Sequence, residues 1–204
     1  MKPQKRFNLI SDRLQEIASP QRSILGNLFG RLSKTPTVGL RLRFPQYDYL
    51  RAEMFVEDLL ELCDYEITFQ VDDLISILYK DFLVQVAQGT NQKQLLIKLK
   101  EKQDRHFRVS DKVAEYVWLN PNHLHRTEKN VPRKVKYLMM EMQILRKAAL
   151  RGEVFLMDLS QLDPEFTLTL DQLISILFID FVSELKSGND ADLVQNIIAH
   201  LRDG

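Results

Sequence analysis

Cysteine is almost missing from this chain: one residue in 204, Cys63. That excludes an internal disulfide framework, and a small thiol among the leucines of Asp58-Leu59-Leu60-Glu61-Leu62-Cys63 reads as a packing residue. Glycine is scarce as well, with seven in all. There is no Gly-rich phosphate loop, no nucleophile elbow, and no Ser-His-Asp or Cys-His pattern, so neither nucleotide cradling nor nucleophilic catalysis is expected. No apolar run reaches the ~18 residues that a membrane-spanning helix needs. The basic start, Met1-Lys2-Pro3-Gln4-Lys5-Arg6, is not followed by the apolar core of a signal peptide. These absences predict a cytoplasmic protein without cofactor and without an evident small-molecule substrate. Metal is not expected either. His123 and His125 stand two apart near Glu128, a spacing that shares a face only on a strand, whereas the segment reads as helical. His106 and His200 have no ligand-like neighbours in sequence.

What the chain does contain is a repeat. Asp72-Asp73-Leu74-Ile75-Ser76-Ile77-Leu78-Tyr79-Lys80-Asp81-Phe82 returns 99 residues later as Asp171-Gln172-Leu173-Ile174-Ser175-Ile176-Leu177-Phe178-Ile179-Asp180-Phe181. Both runs continue to a glycine, Gly89 and Gly188. Weaker matches extend outward: Arg6 with Arg105, Ser11-Asp12 with Ser110-Asp111, and, after a one-residue slip, Arg51, Glu53 and Phe55 with Arg151, Glu153 and Phe155. A period this long is a doubled domain rather than a short-motif solenoid. The sequence therefore divides into a first unit at 1–101 and a second at 102–204, which together are able to form one compact body.

The fold class this predicts is mainly α, a tandem duplication with pseudo-twofold symmetry. At 100° per residue, Leu74, Ile75, Leu78, Tyr79, Phe82, Leu83 and Val86 fall on one broad arc, and their counterparts do the same in the second copy. Central helices are expected at 72–88 and 171–187, packed against each other near the axis and closed by Gly89 and Gly188. The lead-ins 66–71 and 166–170 alternate apolar and polar residues and predict short extended segments. Further helices are predicted at 93–102 and 190–201, at 11–18 and 110–119, and over 139–150; loops are expected at 35–39 and 130–132.

Net charge is zero, but its distribution is uneven. Residues 1–51 carry ten basic and three acidic side chains, and 52–100 carry four and nine; residues 101–151 carry twelve and six, and 152–204 carry two and ten. Each copy is thus a basic front and an acidic back. Either the fronts face a polyanion, or fronts and backs of different halves or subunits attract one another. Self-complementary charge needs no unseen ligand and is the preferred reading.

Two clusters merit chemistry. Ser19-Pro20 and Asn120-Pro121 each place a capping residue before a proline, the start signal of a helix. The stretch Val113-Ala114-Glu115-Tyr116-Val117-Trp118-Leu119-Asn120-Pro121-Asn122-His123-Leu124-His125-Arg126 resembles the first helix-turn-helix of AraC-type transcription regulators. That resemblance implies a second helix in the DNA major groove, with Asn122, His123, His125 and Arg126 toward duplex DNA. Gln21 and Arg22 would do the same in the first copy, over segments 11–32 and 110–130. The second cluster is Asp81 and Asp180, recurrent acids at the edge of the most apolar helices. They would either approach across the axis as a carboxylate pair or bond a nearby cation, and the latter is the expectation. The basic amphipathic stretch Ser23–Lys34 reads as a core or subunit contact, with membrane attachment disfavoured. The sequence as a whole predicts a non-catalytic interaction or adaptor protein that self-associates or binds a protein partner, with a DNA-binding regulator as the alternative.

Overall fold

The computed structural model describes residues 9–18, 36–64, 68–108, 110–120, 123–188 and 197. Among them are six helices and four strands, in the order α1 (Leu9–Ala18), β1 (Thr37–Pro45), α2 (Gln46–Leu62), α3 (Val71–Ala87), α4 (Gln92–Phe107), β2 (Ser110–Asn120), β3 (His123–Pro132), β4 (Tyr137–Leu145), α5 (Arg146–Leu162) and α6 (Leu170–Ser187). The fold is mixed α/β, which corrects the mainly α expectation. The expected helix at 190–201, the stretch Ser23–Lys34, and Gln21 and Arg22 lie outside the described residues, Ile197 excepted.

The overlooked element is the alternation in Thr37-Val38-Gly39-Leu40-Arg41-Leu42-Arg43-Phe44-Pro45. Val38, Leu40, Leu42 and Phe44 are buried, while Gly39 and Arg41 are exposed and Arg43 is half-buried. That is the period of a strand with one covered face. β4 follows the same rule through Met142 and Ile144, so the helix expected over 139–150 begins only at Arg146. The loops expected at 35–39 and 130–132 are largely strand. Conversely, the described residues of the expected extended segments 66–71 and 166–170, which are 68–71 and 166–170, form no strand. Their described residues lead into helices: Gln70 and Thr169 each close a capping box, with Asp73 and Gln172 respectively. The polar positions of that alternation serve helix starts rather than a sheet face.

Each strand turns directly into a helix. Pro45 sits at φ −57°, ψ 135° and Leu145 at φ −59°, ψ 130°, so the same junction is built twice. β1 and β4 are both nine residues and α2 and α5 both seventeen. β1 and β4 pair antiparallel in a two-stranded sheet, with Thr37 opposite Leu145 and Pro45 opposite Tyr137. Arg41 lies opposite Glu141, its own counterpart 100 residues on, so the local dyad passes between these two side chains, which form an ion pair at 3.3 Å.

One contiguous apolar cluster spans both halves. At its centre is α6, against β1, α3, α2 and α4. Phe178 meets Phe44 at 4.5 Å between ring centroids, Phe181 meets Phe55 at 5.3 Å, and Phe82 meets Phe155 at 5.4 Å. Gly188 ends α6 in the left-handed region at φ 75°, where a residue without Cβ is unstrained.

Candidate interaction site

The segment that resembles a helix-turn-helix is a β-ribbon. β2 and β3 pair antiparallel from Ser110 opposite Pro132 to Asn120 opposite His123, with a register irregularity between Trp118 and Asn120. The expected helix at 110–119 and its partner are therefore corrected. Val113, Tyr116, Val117 and Trp118 are residues that favour a pleated strand, and Asn120-Pro121 marks a chain reversal. The reversal is legible in the sequence, but its flanks are strand ends rather than the expected helix ends.

Pairing sorts the ribbon into two faces, because residues opposite each other share a side. One face carries Tyr116 opposite Arg126 and Trp118 opposite Leu124; the other carries Val113 opposite Lys129 and Val117 opposite His125. Both faces are open. Trp118 is 65% exposed and Tyr116 59%, and Val113, Val117 and Leu124 are exposed too. The ribbon forms a sheet separate from β1–β4. Its base is tied down: Arg133 Nε donates to Asp111 at 2.9 Å, the Arg133 guanidinium reaches the Arg105 carbonyl, and the Tyr137 hydroxyl donates to the His106 carbonyl at 3.2 Å. Lys112 and Glu128 pair at 3.4 Å on the surface. An isolated two-stranded hairpin is marginal in water, and one with aromatic side chains on a bare tip leaves apolar surface uncovered.

His123, His125 and Arg126 all fall on β3, exposed, while Asn122 lies outside the described residues. Charges within Ser110–Pro132 balance: Lys112, Arg126 and Lys129 against Asp111, Glu115 and Glu128. The excess of positive charge sits just beyond, in Arg133, Lys134 and Lys136. Among the described residues no group of three or more His, Cys, Asp and Glu side chains is arranged to hold a metal.

Asp180 is half-buried and accepts from Lys102 of α4, so a cation holds that carboxylate at the core edge. Asp81 is half-buried on α3. A cavity of about 510 Å³ lies beside the dyad on the solvent-side face of β1–β4, between α1, α5 and the start of α6, and neither Asp81 nor Asp180 is in its wall. Its wall includes Leu14, Arg41, Glu141, Met157 and Asp171. Burial pushes the Asp171 carboxyl up to about 6, partly opposed by the Arg41 backbone N–H that it accepts. α1 is pinned over this end of the sheet by Asp12 and Arg146 at 2.7 Å.

Comparison of the chain with known protein families, with curated proteins and with solved structures finds no match. Among the described residues no helix is long and apolar enough to cross a membrane.

Proposed function

We propose that this is a non-catalytic interaction protein that self-associates through the β2–β3 ribbon. The observation that carries the reading is the bare aromatic tip, Trp118, Tyr116 and Leu124, with Arg126 beside it. Trp, Tyr and Arg are the side chains that dominate binding energy when an interface covers them. A protein partner accounts for this surface better than duplex DNA does. A polyanion binder gains its affinity from unbalanced cations, and the ribbon's own charges cancel. The reading places the protein in the cytoplasm, in keeping with its single free thiol at Cys63.

The test is the mass in solution across a dilution series, for wild type and for Tyr116→Ser/Trp118→Ser, with far-UV circular dichroism to verify the fold. Wild type should associate, and the ribbon variant should remain monomeric at the same concentrations. A variant that associates as wild type does removes the reading. Binding to duplex DNA at low salt that the ribbon variant loses would replace it with the DNA-binding alternative.

A further inference from the structure

We propose that the cavity beside the dyad binds a small organic cation with an apolar body, an arylalkylamine in size and character. The site is separate from the ribbon and does not rest on the self-association reading. At about 510 Å³ the cavity has the volume of a small-molecule site. Leu156, Phe166, Leu168 and Leu170 line it and are buried. Leu14 of α1 and Met157 of α5 line it as well, yet they are 58% and 48% exposed. A hydrocarbon guest would cover both of these side chains and add to the apolar surface removed from water.

The polar part of the wall selects the charge. Asp171, in the first turn of α6, stands in the wall with its carboxyl drawn out of water. It accepts the Arg41 backbone N–H, and no cation relieves it. Among the described residues Arg41 is the one cation in the wall, and its guanidinium pairs with Glu141 at 3.3 Å. Burial accordingly holds the Asp171 carboxyl up to about 6. One N–H leaves most of the acceptor capacity of two carboxylate oxygens open. An ammonium group supplies both the missing donors and the missing charge. An anion would meet like charge at Asp171, and the α6 N-terminus is not open to it, because Thr169 and Gln172 close a capping box there. An uncharged apolar guest would seal the carboxylate away from water without a partner, which is costly. A metal ion finds no suitable group of three or more ligating side chains among the described residues. Asp72, the equivalent acid of the first copy, is exposed and is not in this wall.

The experiment is a heteronuclear NMR titration of the full chain at a pH above the Asp171 value, with three probes of one shape: phenethylammonium, phenethyl alcohol and phenylacetate. Phenethylammonium should bind at least about tenfold more tightly than the alcohol, and phenylacetate should be the weakest. Amide shifts should centre on 168–172 and on Arg41. Asp171→Asn should bring phenethylammonium down to the level of the alcohol and leave the alcohol unchanged; Asp72→Asn should alter neither. Ser160→Trp, which fills the cavity from α5, should weaken both, with circular dichroism to verify the fold. Equal binding of ammonium and alcohol, tighter binding of phenylacetate, no saturable binding at millimolar concentration, or an ammonium affinity that survives Asp171→Asn would each overturn the proposal. The Tyr116→Ser/Trp118→Ser variant should bind phenethylammonium as wild type does, so this site and the ribbon stand or fall separately.

Discussion

The strand-helix-helix unit β1–α2–α3 and its counterpart β4–α5–α6 share sequence and element lengths, yet they are not buried alike. α6 lies along the outer edge of β1, where the Arg43 N–H donates to Ser175 Oγ at 3.0 Å and Ser175 Oγ donates to the Asp171 carbonyl at 2.7 Å. Ser175 is 1% exposed. Ser76, its counterpart on α3, is exposed. Ile179 is buried, and its counterpart Lys80 stands in water. A copied helix has therefore been assigned two jobs, one as the central rod of the core and one as a flank. Lys80 marks the flank in the sequence, because a lysine is almost never fully buried without a partner.

The largest effect that would sharpen this contrast lies where the halves pack differently. Tyr79 donates its hydroxyl to the Ala148 carbonyl at 2.9 Å and runs over Gly152. A Cβ at Gly152 would lie 2.1 Å from the Tyr79 hydroxyl and 2.7 Å from Leu170 Cδ1. The equivalent positions in the other half hold Ala52 and Phe178: a methyl gained where a hydroxyl is lost. Gly152→Ala should destabilise by about 2–3 kcal/mol through overpacking. Tyr79→Phe alone should cost ~1 kcal/mol for the lost hydrogen bond. The double variant reproduces the other half's pairing, so its loss should fall well below the sum of the two. Denaturant midpoints of the four proteins give the coupling, and strict additivity would show that the two sites do not share one space.

That compensation was legible in principle, since it is a paired exchange between two copies of one sequence. Reading it required knowing which positions touch. The central helices were legible because their apolar arcs are wide and continuous; the structure sets them at 71–87 and 170–187. The strands were not, for separate physical reasons. In Met139-Met140-Glu141-Met142-Gln143-Ile144-Leu145, unbranched side chains with good helix propensity conceal an alternation of period two, and tertiary pairing with β1 overrides the propensity. In the ribbon, both faces are in solvent, so no buried stripe exists to betray the period. His123, His125 and Arg126, expected on a groove-reading helix, lie exposed on a strand. Asp171, Ser175 and Arg41, which join the halves, gave no sign of it, because capping a strand edge leaves no periodic trace.

A smaller effect tests the edge contact itself. Ser175→Ala removes the acceptor for the Arg43 N–H in a site closed to water, and should cost about 1–2 kcal/mol. Ser76→Ala, the same change on the exposed flank, should stay within about 0.5 kcal/mol. Thermal or urea unfolding of the two variants side by side decides it. Equal losses would mean that the two helices are buried alike in solution and that the asymmetry between the halves is wrong.

The smallest effect is one of pH. Burial raises the Asp171 carboxyl in the folded state to about 6, above its ordinary value of 3.8. Between those two values the native chain binds more protons than the unfolded one, so the contribution of this group to stability falls as pH rises and is fully lost above the folded value. Asp171→Asn keeps an acceptor for the Arg41 N–H and has no proton to lose. The variant should therefore gain on wild type between about pH 4.5 and 7, by roughly 1 kcal/mol or ~2–4 °C in Tm after allowance for the solvent that still reaches the group. On the flank, Asp72 is raised by its partial burial and then by Asp73, and it has no strand edge to cap. Asp72→Asn should leave the pH profile close to that of wild type. If the two variants shift the profile equally, the Asp171 carboxyl is as well solvated as its counterpart, and the edge of β1 is not closed in the way α6 closes it here.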